Sequence, residues 1–275
     1  MPSYLPTATA TAICSLIIAL SFFACEKSTD WPLESDGTAR LVVEAILTNE
    51  NKTQEVRLSL TYPDLNGAAP AVDGAEVYVE VEQVIYSFLP DPEQPGRYLS
   101  ENPFAVVGGH DYTLHINWEG TEYTAVSRLS EVFPIPQPTF VAVGNTGRLR
   151  LGEFIPAFSP FEQAMYRIDI DWSQLDTAEL TRARIYQYTF SSIDMSQLVL
   201  PPREVVEFPK GSTVVIRKFG LNDDFAEYLR AKAIETDWSG AFFYSVSDNL
   251  PTNIPHDGLG FFSTCAVLTD SLIAQ

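Results

Sequence analysis

Few residues in this 275-residue chain are of types that do chemistry, and their spacing decides what each is for. The cysteines are Cys14, Cys25 and Cys265. Cys25 closes an apolar run from Ile13 to Ala24, broken by Ser15 and Ser21, and opens the polar stretch Glu26-Lys27-Ser28-Thr29-Asp30. A short apolar segment, a small residue and then Cys is how a bacterial lipoprotein signal peptide ends. The thiol is acylated, and the chain is cut just before it. The run is about a dozen residues against the ~20 that span a bilayer, so a transmembrane helix fits less well. No Lys or Arg precedes Cys25, which leaves the α-amine as the only positive charge of that segment. The expectation is a signal peptide over 1–24, a tether over 25–38, and a membrane anchor through lipid on Cys25. One acyl chain binds marginally, whereas the two or three of a mature lipoprotein anchor stably.

The other reactive types point away from catalysis. Removal of Cys14 and acylation of Cys25 leave Cys265 without a disulfide partner, so the body must hold by its core. Cys265 lies in the apolar run Phe261–Leu268 and reads as a buried, inert thiol. His110 follows the Gly108-Gly109 turn, His115 is on a polar strand face, and His256 is in a late loop. None has the spacing of a zinc ligand set. Asp169 and Asp171 share one strand face and could serve as paired carboxylates, but acids on strand surfaces are commonplace and a solvated face is the better reading. Asn222-Asp223-Asp224 clusters oxygens without the alternate spacing and central Gly of an EF-hand loop, and reads as a helix start. Neither a nucleophile elbow nor a phosphate-cradling glycine loop occurs. No catalytic residue, metal or cofactor is assigned.

Charge narrows the partners. Lys and Arg number 17 and Asp and Glu 36, a formal charge of −19. Such a chain repels nucleic acid and anionic lipid surfaces.

The elements that must position these residues are mostly strands. Val77, Val79 and Val81 alternate with Tyr78, Glu80 and Glu82; Tyr112, Leu114, Ile116 and Trp118 alternate with Thr113, His115 and Asn117. Glu119-Gly120 reads as a hairpin turn into Tyr123–Val126. Turn residues recur at Asp64–Gly67, Asp73-Gly74 and Pro90–Gly96. The pattern predicts a mainly β protein of two antiparallel β domains. The first, over 39–132, is an Ig-like or prealbumin-like β-sandwich. Phe133-Pro134-Ile135-Pro136-Gln137-Pro138 reads as a semi-rigid Pro-rich linker. The second domain, over 139–275, is a β-sandwich or barrel-like unit with one packed helix near 223–236. There Tyr166, Ile168, Ile170 and Trp172 oppose Arg167, Asp169 and Asp171, and a last apolar strand runs from Leu259 to Leu268.

Certain short motifs recur in a fixed order. They are Cys25-Glu26-Lys27, Leu41-Val42-Val43-Glu44, Leu47-Thr48-Asn49 and Val72-x-Gly74-Ala75-x-Val77. Gly96-Arg97-Tyr98, Tyr112-Thr113-Leu114 and Gly120-x-x-Tyr123-Thr124-Ala125 follow, and Asn253-Ile254 with Gly258-Leu259-Gly260-Phe261-Phe262 closes the set. In these motifs the chain resembles a Bacteroidota lipoprotein family, the domain of unknown function 4249 family. The resemblance covers the first domain and the C-terminal region, and is poor from about Pro138 to Val206. It implies an outer-membrane lipoprotein at the cell surface, whose relatives are often encoded beside TonB-dependent receptors. It brings no catalytic residues. The function expected is a non-catalytic accessory or binding component, possible partner of such a receptor in nutrient uptake; a cell-surface hydrolase of glycan or peptide and a structural envelope protein are the rival readings.

Overall fold

Alternation of buried and outward side chains builds the first sheet. In β1 (Leu41–Thr48), Leu41, Val43, Ala45 and Leu47 point inward while Glu44 and Ile46 are exposed. The computed structural model describes residues 38–62, 67–175, 181–192, 205–237 and 250–275, without the side chains of 233–237. Cys14, Cys25, the 1–24 segment, nearly all of the tether and most of the Asp64–Gly67 turn lie outside them.

Beside β1 run β2 (Glu55–Leu60), β3 (Glu76–Val81), β4 (Val84–Pro90), β5 (Arg97–Ser100), β6 (Asp111–Trp118) and β7 (Thr121–Arg128). The eighth member is β14 (Leu259–Cys265), and the order is β14-β1-β2-β5-β4-β3-β6-β7. All neighbours are antiparallel except β1 and β14. The sheet curls until its two ends nearly meet. Ser127 Oγ at the end of β7 accepts the Thr264 N–H of β14 at 2.9 Å, and Ser130 bridges to Cys265. Inside lies one core that includes Val43, Leu58, Val79, Tyr98, Leu114, Ile116 and Phe262. The β6–β7 connection is the two-residue hairpin expected: Glu119 and Gly120 both have positive φ (49° and 81°), the geometry of a type I′ turn.

A four-stranded antiparallel sheet follows, in the order β11-β10-β13-β15, from β10 (Ala164–Asp171), β11 (Arg182–Thr189), β13 (Thr213–Gly220) and β15 (Val267–Ile273). On one face packs a small sheet of β12 (Glu207–Pro209), β9 (Arg148–Leu151) and β8 (Phe140–Ala142). Between them Tyr166, Ile168, Ile170 and Ile216 meet Leu149 and Phe208. The one helix among the described residues, α1 (Asp223–Asp237), brings Phe225, Ala226, Tyr228 and Leu229 onto Met165, Phe219, Phe261 and Val267. The fold is mainly β, as the alternation predicts. The segment read as one strand from Leu259 to Leu268 is two: β14 belongs to the first sheet and β15 to the second, with a break at Ala266, whose C=O accepts the Gly220 N–H at 2.8 Å.

The Pro-rich segment is held at its start by a buried cation. Lys218 of β13 is fully buried, and its Nζ donates to Glu162 Oε1 (2.7 Å), Phe133 C=O (3.0 Å) and Pro134 C=O (3.4 Å). Glu162 Oε2 accepts the Phe133 N–H at 3.1 Å, so the ammonium and the Phe133 N–H each take one oxygen of the same carboxylate. The neighbouring Arg217 projects the other way and pairs with Glu50, in the turn that follows β1.

Candidate functional site

Among the described residues, the candidate carboxylates, the Asn222 cluster and Cys265 have structural settings. Asp169 and Asp171 do share the outward face of β10, but each is neutralised: Asp169 pairs with Arg167 and Arg184, and Asp171 with Arg182. The Ser173 hydroxyl and N–H, and then Arg182, hold the Asp171 carboxyl below the usual carboxylate range. Asn222 caps α1, its Oδ1 accepting the Phe225 N–H at 2.9 Å, with Asp223 and Asp224 in the first turn. Cys265 is fully buried, and burial pushes its thiol pKa up to about 12. A thiol so protonated is a poor nucleophile.

The residues that carry the resemblance are framework as well. Tyr98, fully buried, donates its hydroxyl to Val72 C=O (3.0 Å) and accepts the Ala75 N–H (3.1 Å), tying two motifs together. Asn253 makes a two-point amide contact with Phe262, donating to its C=O (2.8 Å) and accepting its N–H (3.0 Å), and so pairs β14 on the edge away from β1. Asn49 accepts the Val267 N–H at 2.8 Å where β14 gives way to β15.

The histidines separate. His110 pairs with Glu82, and His256 sits in a loop with positive φ (56°), its ring edge toward Tyr123. His115 is in a different setting. It stands on the outer face of β6, directly across from Tyr78 of β3, and their rings stack at 4.5 Å and 8°. Its Nδ1 is 3.2 Å from Glu122 and its Nε2 3.7 Å from Glu80. Glu76 accepts from Asn117 beside it at 3.2 Å. Burial first, and then Glu122, Glu76 and Glu80, raise the pKa of the Tyr78 hydroxyl. The strand alternation puts Tyr78 and His115 on polar faces; only the β3–β6 register brings them together.

Among the described residues no group of three or more His, Cys, Asp or Glu is placed to hold a metal ion, and no helix is long and apolar enough to cross a membrane. The profile of a family described as domain of unknown function (DUF4249) matches residues 26–271. The chain belongs to the DUF4249 family. The match begins at the residue after Cys25 and includes β14 and most of β15, so all three described sheets of this DUF4249 protein fall within it except the last two residues of β15. A search of the curated proteins found no match.

Proposed function

We propose that this DUF4249 protein is an outer-membrane lipoprotein, anchored through Cys25 at the cell surface. There it acts as a non-catalytic binding component beside a TonB-dependent receptor. The observation that carries the reading is the Ala24-Cys25 junction at the end of the Ile13–Ala24 apolar run. The resemblance of its motifs to a lipoprotein family supports the same address. The binding role is supported by how the reactive groups are used: the β10 carboxylates are engaged by arginines and Cys265 is sealed as a thiol.

Two measurements test this. Cys25→Ala should abolish labelling by palmitate and release the protein from membranes; unchanged labelling refutes the anchor. Detergent extraction of the tagged lipoprotein from native membranes should recover an outer-membrane receptor in stoichiometric amount. Recovery of the lipoprotein alone rejects the accessory role.

A further inference from the structure

The outer face of β4-β3-β6-β7 combines three properties seldom found together on a solvated sheet. Its central row reads Ser87, Tyr78, His115, Thr124 across the four strands. The stacked rings therefore stand between two small, exposed residues, which leaves room against the outer side of each ring. Above and below the rings lie Glu80, Glu76 and Glu122. At the rim, Ile85, Leu89 and Val126 are 61%, 52% and 57% exposed, beyond what a strand face requires for folding. Charge is also segregated toward this part of the chain. Residues 39–132 hold 15 Asp and Glu against 5 Lys and Arg, whereas 139–275 hold 17 against 11.

We propose that this face docks a protein partner presenting arginine side chains, with a guanidinium seated over Ser87, flat against the Tyr78 ring and between Glu76 and Glu80. The proposal rests on the binding role given above and assigns that role a surface. A planar guanidinium stacks on an aromatic face and donates in a fork to carboxylates, so an aromatic wall with acids on both sides suits it better than the compact lysine ammonium. The aliphatic rim would supply the apolar contact that a lone charged pair lacks. The face is an open sheet rather than a cleft, which favours a macromolecule over a small organic cation. The carboxylates rule against a nucleic acid or an anionic lipid surface.

The test places a photo-crosslinking amino acid at Ser87 in the full-length lipoprotein, expressed in its own cells, with a second probe at Lys210 as control. On illumination the Ser87 probe should yield an adduct mapping to a partner segment with Arg within a few residues. In a Glu76→Gln/Glu80→Gln/Glu122→Gln background that adduct should fall at least tenfold, while labelling from Lys210 stays unchanged. An adduct indifferent to the three substitutions, or mapping to a segment without Arg, overturns the proposal. So does an adduct abolished by a chelator, which would make the face a cation site. If only the Lys210 probe captures a receptor, the binding role survives and this surface does not. If neither probe gives an adduct, both fail.

Discussion

Replacing Lys218 with Met keeps the length of the side chain and removes its charge, which isolates the worth of the buried cation. The wild-type ammonium is fully buried, with Glu162 at 2.7 Å and two backbone carbonyls as its other acceptors; the Glu162 side chain is 13% exposed. In Lys218→Met that carboxylate keeps the Phe133 N–H but loses its counter-charge, with little water to replace it. Breaking a buried pair from one side costs about 3–5 kcal/mol. For a body of this size each kcal/mol lowers Tm by roughly 2–4 °C, so the expected drop is about 6–20 °C. Thermal unfolding followed by far-UV circular dichroism reads it. Lys218→Met/Glu162→Gln removes both charges while keeping an acceptor for Phe133, and should recover at least ~1 kcal/mol of the loss. A single variant within ~1 kcal/mol of wild type, or a double variant no better than the single, would show that the pair is not desolvated as described.

Further outcomes follow from the same geometry. Gly260→Ala should dislodge β14 from β1, because Gly260 has φ +84° and an added Cβ would lie 2.0 Å from Val43 C=O; a loss above about 3 kcal/mol is expected in urea titration, and a neutral result is incompatible with the parallel pairing. Asn222→Ala should cost about 1–2 kcal/mol, since it removes the α1 cap and the donor to Ser127 Oγ, whereas Asn222→Asp keeps the cap and should lose less; equal losses would deny the cap its part. Raised native pKa values make alkali destabilising. The folded Cys265 thiol holds its proton to about 12 whereas the unfolded one releases it near its ordinary 9.0, so stability is intact below ~9 and declines as pH rises towards 12. Tyr166, raised to about 12 first by burial and then by Glu162, adds to the decline in its upper part. Urea titrations between pH 8 and 10.5 should show Cys265→Ala losing less with pH than wild type; parallel curves would mean that the thiol is not sealed.

Local order was legible in the sequence, and long-range pairing was not. Val77/Val79/Val81 and Tyr166/Ile168/Ile170 announce their strands and inner faces because side chains alternate with period two. Glu119-Gly120 and Asn222 announce a turn and a cap because those conformations need few residue types. Nothing local reveals that β14 lies parallel to β1, more than 200 residues away in the chain. The same holds for Lys218: it follows Arg217 in an ordinary strand pattern, and its burial depends on Glu162 and Phe133 arriving from elsewhere. The Tyr78–His115 face failed to show for a related reason. Each residue was on a polar strand face by alternation, but the register between β3 and β6 is a property of the sheet.

The placement of β14 has a consequence for synthesis. A ribosome makes β1 to β7 first, but the strand that lies between β1 and β7 is added only when Leu259–Cys265 emerge. Until then both edges of the first sheet present unpaired backbone groups, and Phe262, a central part of its core, is missing. A nascent or prematurely terminated chain is therefore an open sheet that a holdase or protease can engage. Closure of the first sheet thus waits on a strand that lies more than 200 residues after β1.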